Sequence, residues 1–294
     1  QVTGSLRGAG ITPAPALLPP AAKGFVAGFS SLAAEFSLPP GDPAAGTGTF
    51  AVTGGNLQLG PTQATGISGR VQLEHLWPPV SPPGQEVVIE QVVAALPAAD
   101  GRLRFQILGP SSIKVERAEL AGIGGRIWAE DMAIRDGVPP ERMTLHVDGV
   151  GLGDLAAQMN IPGLKAEGKL SGRIPVKLGE GGTVAIRGGL LTSQGKGLLA
   201  FKSPTRPMPG QAPEGGRIDM VLDILEDLRF DGMTLTLDGD AQKDVQIQAH
   251  VQGRNPKIQE GRPVDLTVNL TGNIGQAIQA ELRNFDIRGL AGAK

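Results

Sequence analysis

The chain has 294 residues and a net charge of -2, and hydrophobic residues make up 40% of it, in periodic runs that predict a folded protein. Lys and Arg number 27 against 29 Asp and Glu, without a basic stripe, which argues against nucleic-acid binding, and the absence of cysteine excludes disulfides and thiolate chemistry. The 44 glycines and 24 prolines greatly exceed their usual combined share of about 12%, which is typical of many short strands and turns.

The N-terminal half of the sequence predicts a series of strands. Residues 1–8 read as the middle of a strand, so we expect the chain to be a fragment of a longer protein. No apolar run of about 18 residues and no signal-peptide pattern occurs, so any membrane anchor would lie outside this chain. Runs bounded by Gly, Pro or Asp predict further strands over 48–59, 66–75, 87–94, 102–108, 113–120, 125–134 and 144–150.

Alternation of apolar and polar residues is clearest in the C-terminal half. Strict period two over 233–238, 245–252 and 264–270 predicts antiparallel strands with one apolar face, and Gly239 with Asp240 is expected to make the turn between the first two. Additional strands are predicted over 164–178, 184–192 and 197–201.

Helical patterns are few and short. Apolar spacing predicts helices near 152–160, 217–228 and 274–282, each packing on an end or edge of the sheet. The second also fits a strand, because its apolar residues alternate, but a polar side favours the helix, with Leu228 on its apolar side. We predict two segments, residues 1–121 and 122–294.

Two stretches approach known functional motifs but fail in spacing. The glycines of 149–153 follow a strand and open a helix, yet they lack the G-x-G-x-x-G spacing of a dinucleotide-binding turn. The acidic stretch 238–244 would need a glycine and a bidentate glutamate to bind calcium, and Lys243 and Ala249 stand in those places. We interpret it as a solvated hairpin turn.

Catalytic and metal-binding constellations are also missing from the sequence. His75, His146 and His250 have no second ligand at metal-binding spacing, so we interpret them as strand-surface residues. No carboxylate pair has an apolar setting, and 2 Trp without any Tyr provide few stacking platforms for sugars. We therefore expect no enzyme, no cofactor and no metal site, and a carbohydrate-active β-solenoid is the weaker alternative.

The long apolar face needs something to cover it, because large exposed apolar patches are rare on soluble monomers. The sheet could curl on itself, pair with a second chain or hold lipid. A two-chain phospholipid exposes roughly 30 methylenes, which is on the order of 25 kcal/mol at about 0.8 kcal/mol each, and an apolar trough would remove most of that cost. Alternation alone leaves an ordinary closed core equally possible.

The C-terminal part contains a series of distinctive stretches in a fixed order, namely LGDL at 152–155, GLKAEGKLSGRIPV at 163–176, GLL at 189–191, GKGLLAF at 195–201, LEDLRF at 225–230, VQGRNP at 251–256, GRPV at 261–264 and NLTGN at 269–273. Together these stretches resemble the YdbH-like branch of the AsmA-like superfamily of bridge-like lipid-transfer proteins. Phe201 stands where the family more often has Tyr, and the first 120 residues match only in strand pattern.

The resemblance implies a mostly-β fold, a long curved antiparallel sheet of repeating β-groove modules rolled into a U-shaped trough. It implies a non-enzymatic conduit for phospholipid across the periplasm of a Gram-negative bacterium, anchored in the inner membrane through a segment outside this chain. It also implies that a small outer-membrane lipoprotein joins the C-terminal end by strand addition. The alternative is a structural β-solenoid or interaction scaffold of the cell envelope with a closed apolar core.

If the trough exists, the apolar side of each alternating strand should line it. The residues expected to line the lipid groove are Leu145, Val147, Leu170, Ile174, Val176, Val184, Ile186, Met233, Leu235, Leu237, Val245, Ile247, Val251, Leu266, Val268 and Leu270.

Overall fold

The computed structural model describes residues 2–11, 25–42, 45–59, 62–93, 98–136, 138–159, 162–179, 183–202, 215–240, 244–272 and 285–288. The chain divides into two compact units, the first made of 1–122 and 126–143 and the second of 123–125 and 144–294. The division after residue 122 lies beside the predicted boundary, and the assignment of residues 1–121 and 122–294 as separate segments stays a prediction. No helix among the described residues is long and apolar enough to span a membrane.

The first unit is an antiparallel sheet in which β1 to β7 pair in chain order. Its strands are β1 (Val2–Ile11), β2 (Phe25–Leu38), β3 (Thr47–Leu59), β4 (Thr62–Leu73), β5 (Gln85–Val93), β6 (Ala98–Gly109), β7 (Ser112–Gly122) and β8 (Gly125–Arg135). Directly paired residues share a face, and one apolar row crosses the sheet from β2 to β7. That row is Leu32, Val52, Gly69, Val87, Leu103 and Ala118.

The second unit combines antiparallel strands with two short helices. Its elements are β9 (Arg142–Gly151), α1 (Leu152–Met159), β10 (Leu164–Glu167), β11 (Lys169–Leu178), β12 (Val184–Ser193), β13 (Gly197–Phe201), α2 (Gly215–Leu225), β14 (Leu228–Asp240), β15 (Val245–Arg254), β16 (Pro263–Gly272) and β17 (Phe285–Arg288). Strand β14 pairs with β12, β13 and β15, and β15 pairs with β16. The predicted mostly-β fold of antiparallel strands with few short helices is confirmed.

Some local predictions are wrong. The helix predicted to reach residue 228 ends at Leu225, because Leu228 instead pairs with Leu199 of β13. Gly239 and Asp240 do not form the turn, since both belong to β14 and Gly239 pairs with Val245. The strand predicted over 164–178 is interrupted at Gly168, whose φ is 133°.

One further difference concerns a whole element rather than its ends. Strand β2 (Phe25–Leu38) has no counterpart among the sequence predictions. Its small and polar residues break the alternation, and its pairing with β1 and β3 makes it a strand. The helix predicted near 274–282 lies outside the described residues.

Candidate functional site

On one side of strands β11, β12, β14, β15 and β16 the side chains form a continuous apolar surface, which we call the apolar face. In antiparallel sheets, residues directly opposite each other project from the same side, so paired residues form rows across the strands. One row is Gly172, Leu191, Leu235, Ala249 and Val268. The next is Gly189, Leu237, Ile247 and Leu270, and a third ends in Met233, Val251 and Leu266. The pairing therefore brings most of the predicted groove residues to one side of one sheet.

Two β-bulges keep the apolar residues on this face where the sequence alternation changes phase. A one-residue slip would move every later side chain to the opposite face, and a bulge adds the residue that corrects it. In β12 the register shifts between Ile186 and Gly189, and Gly188 between them has a φ of 66°. In β14 it shifts between Phe230 and Gly232. Both sides of each bulge therefore contribute to the same apolar surface.

None of the predicted groove residues with a described side chain is exposed. Leu145 and Val147 lie on β9, which pairs with β11. The side chain of Leu270 is not among those that the structure describes. The buried ones are Val147, Leu170, Val176, Ile186, Met233, Leu237, Val245, Val251 and Leu266. The half-buried ones are Leu145, Ile174, Val184, Leu235, Ile247 and Val268.

Sequence reasoning missed several members of the apolar face. Leu191 is 6% exposed and Phe230 is 1% exposed, yet neither was predicted to line the groove. Each lies beyond a bulge from the residues that were predicted in its strand. The pairs Gly188-Gly189 and Asp231-Gly232 were the available signals, because glycine inside a strand often marks a bulge.

One end of the apolar face is closed by protein. Leu228 is 0% exposed, and its partner Leu199 lies on β13, against which α2 packs. The ring of Phe230 occupies the space above Gly168 and Gly197, where added Cβ atoms would collide with it. Helix α2 buries a set of apolar side chains, namely Val221, Leu222, Ile224 and Leu225. This end is an ordinary packed core.

A buried asparagine holds the end of α2 in place. Asn255 is 3% exposed, and its Nδ2 donates to the backbone oxygens of Asp223 and Ile224 at 2.9 and 3.1 Å. Its Oδ1 accepts from the backbone nitrogen of Lys257 at 2.9 Å. These bonds satisfy carbonyl groups that a helix end otherwise leaves without partners. They tie α2 to the chain that follows β15.

Beyond the closed end the apolar face changes character. Leu235, Ile247 and Val268 are half-buried, whereas Val251 and Leu266 are 0% and 2% exposed. The middle of the face thus keeps apolar surface accessible between better-covered rows.

The opposite face of the same strands is polar. His250 Nδ1 lies 3.3 Å from Thr267 Oγ1 and 3.3 Å from Asp265 Oδ1, and Gln248 Nε2 donates to Asn269 Oδ1 at 3.0 Å. Across the residues that the structure describes, no three His, Asp or Glu side chains form a group that could hold a metal ion. The polar face therefore offers cross-strand pairing and a wetted surface.

Ion pairs secure the start of β14 and the turns beside it. A hydrogen bond from Lys257 lowers the pKa of Asp227, with Arg229 contributing. The pKa of Asp231 is lowered mainly by Lys196, whose Nζ lies 2.8 Å from its Oδ1. Both carboxylates lie close to the packed end of the apolar face, so their pairing supports structure there.

Comparison with protein families decides the assignment. The model of the YdbH-like family, described as intermembrane phospholipid transport protein YdbH, matches residues 1–281. The chain belongs to the YdbH-like family. No curated protein and no solved structure matches it.

Membership of the YdbH-like family confirms the resemblance and extends it. The quoted motifs begin at residue 152, whereas the family match includes the first 121 residues. The family is one of lipid transport proteins, which supports the predicted phospholipid transport between membranes and a place in the periplasm between them.

Proposed function

We propose that the apolar face of this YdbH-like chain shields phospholipid acyl chains in transit between two membranes. The observation that carries the proposal is the change of burial along the face, where Leu235, Ile247 and Val268 stay half-buried beside a packed end. A surface made only as a core would bury its middle at least as well as its ends. Here half-buried side chains lie in the middle of β14, β15 and β16.

The energetic case rests on the length of the apolar rows. Each acyl methylene removed from water contributes about 0.8 kcal/mol, so contact over many methylenes offsets much of the cost of leaving a bilayer. Gly172, Gly189 and Ala249 lie within these rows and add no large side chain to them. Acyl chains could rest along such rows while the headgroup stays in water.

The proposal includes the wider arrangement that the family implies. The chain would work in the periplasm as part of a non-enzymatic conduit, held to the inner membrane by a segment outside it. A small outer-membrane lipoprotein would add a strand at the C-terminal end. The family's function in transport between membranes supports the place in the periplasm. The tendency of free sheet edges to accept a strand supports the contact with the lipoprotein.

Site-specific photocrosslinking in cells tests the facing of the groove. Crosslinkers at Leu235, Ile247 and Val268 should capture phospholipid, and crosslinkers at Thr236 and Gln248 on the polar face should not. Native mass spectrometry of the purified chain should show bound phospholipid. Capture at Thr236 and Gln248 alone would show that the facing is inverted and refute the assignment.

A second candidate function is a structural scaffold with a closed apolar core. The burial of Leu228 and Phe230, at the end of the face where α2 packs against β13, favours it there. Under this reading the purified chain should carry no lipid and no crosslinker on the apolar face should capture any. Lipid on Leu235 or Val268 would reject the scaffold.

A further inference from the structure

Four exposed apolar side chains lie on one edge of the first unit, and we call them the apolar crest. They are Trp77, Leu108, Ile113 and Val138, with exposed fractions of 66%, 48%, 37% and 63%. Trp77 lies between β4 and β5, Leu108 and Ile113 flank the turn between β6 and β7, and Val138 follows β8. In a sheet paired in chain order, alternate turns fall on the same edge, about 10 Å apart for every two strands. Single exposed apolar residues are ordinary, whereas a row on successive turns is not.

The same short sequence recurs along this edge. An apolar residue precedes two prolines at 38–40 (LPP), 77–79 (WPP) and 138–140 (VPP), and the turn between β6 and β7 contains Pro110. Proline has no backbone N–H and a fixed φ, so these turns are stiff and offer few donors to an approaching strand. The turns on this edge therefore present exposed apolar side chains and offer few backbone N–H groups with which another strand could pair.

Hydrogen bonds hold the turns of the crest to their neighbours. Leu76 N donates to Gly46 O at 2.8 Å, and Asp136 N donates to Ser111 O at 2.7 Å. Ser81, which is 0% exposed, receives a bond from Ile107 N at its Oγ at 2.8 Å, and its own backbone nitrogen donates to Ile107 O at 3.0 Å. The turns that carry the exposed apolar side chains are therefore already ordered, so binding costs little further conformational entropy.

We propose that the apolar crest seats in the interfacial layer of a phospholipid bilayer. Tryptophan favours that layer, because its ring is apolar and its N–H can remain hydrated. Glu74, Arg135 and Asp136 give the surrounding turns both signs of charge, so contact would depend on apolar insertion rather than on attraction to anionic lipid. The proposal rests on the phospholipid-transport function, which puts the protein between two membranes, and it adds a place where this chain would contact one of them.

The tryptophan content of the chain makes the contact measurable. Trp77 and Trp128 are the 2 tryptophans, and the chain has no tyrosine. The ring of Trp128 lies 4.5 Å from the Arg117 guanidinium, away from the crest. Trp128→Phe leaves Trp77 as the sole emitter and keeps a ring for Arg117, while Trp77→Phe is the matched control.

The experiment adds phosphatidylcholine vesicles to the full chain and follows tryptophan emission and vesicle cosedimentation. In the Trp128→Phe variant the emission should shift to shorter wavelength and be quenched by lipids brominated near the headgroup, also in 1 M salt. Trp77→Phe should show no shift. Val138→Asp should weaken vesicle binding by about tenfold or more, whereas Val88→Asp, exposed by 40% on β5 and opposite Arg102, should not.

The outcomes separate this proposal from the groove. Leu235→Asp should abolish lipid capture on the apolar face and leave the Trp77 shift intact, so failure of one leaves the other standing. An unchanged Trp77 emission with vesicles overturns the crest proposal, as does an equal shift of Trp128. If Trp77 responds to envelope proteins but not to vesicles, the crest is a protein contact and the proposal is wrong.

Discussion

A carboxylate placed on the apolar face should have opposite consequences in two positions on the same strand. Leu228 and Leu235 both lie on β14 and both project to the apolar face. Leu228 is 0% exposed and lies next to the part of the sheet that α2 covers, whereas Leu235 is half-buried in the middle row. Aspartate at each position therefore compares a closed core with an open surface in one chain.

The expected costs differ by several kcal/mol. At position 228 the substitution loses the burial of a leucine side chain, about 1.5–3 kcal/mol, and adds the burial of a carboxylate, several kcal/mol more. That sum is comparable with a whole domain stability of about 5–15 kcal/mol. At position 235 the lost burial is only partial, about 1 kcal/mol, and the carboxylate keeps contact with water.

Urea unfolding followed by far-ultraviolet circular dichroism, combined with native mass spectrometry, measures both effects. Leu228→Asp should fail to fold or unfold at much lower urea. Leu235→Asp should keep its fold and lose bound phospholipid, and Leu235→Ala should keep both. If Leu235→Asp unfolds as readily as Leu228→Asp, the middle row is a closed core and the lipid groove is refuted.

Three further predictions concern the packed end of the apolar face. Gly197→Ala should cost about 1–3 kcal/mol in urea unfolding because the new Cβ collides with both the Phe230 ring and the backbone oxygen of Glu167, and Phe230→Leu should recover only the part of the loss that the ring causes; no recovery would show that the ring does not contribute. Asn255→Ala should cost about 2 kcal/mol and speed amide exchange in α2, since the Ile224 carbonyl loses the Asn255 donor and the Asp223 carbonyl keeps only the bond from Glu226 N; unchanged exchange would mean that α2 is held otherwise. The pKa of Asp227 lies below its ordinary value of 3.8 because Lys257 donates to it, so the pair stabilises the fold fully above about pH 4 and loses this contribution as pH falls through the lowered pKa. Lys257→Met should make the free energy of unfolding depend less on pH in that acidic range, and an unaltered pH profile would show that the pair does not stabilise the fold.

Much of the β architecture could be predicted from local sequence. Period-two alternation in 245–252 and 264–270 identified strands β15 and β16, and it assigned their apolar residues to one side. Glycine and proline punctuation located most turns, because these residues meet backbone conformations that others disfavour. Helix α1 begins at Leu152, where apolar residues take helical spacing.

Other features depended on partners distant in sequence. The end of α2 at Leu225 follows from the demand of β13 for a pairing partner, which Leu228 supplies. The face of the sheet on which Leu191 and Phe230 lie depends on β-bulges, and the neighbouring strand sets the position of each bulge. A local sequence pattern does not show that register.

The sequence by itself therefore determined that an apolar face exists and which strands carry it, since side-chain alternation is a property of each strand alone. Only the tertiary structure decided where that face is closed and where it stays accessible. Closure depends on the pairing of Leu228 with β13, on the packing of α2 against that strand and on the ring of Phe230 beside it, and these come from separate parts of the chain. Burial is a property of everything that packs around a residue, and this is why Leu228 and Leu235 differ although the same strand carries both.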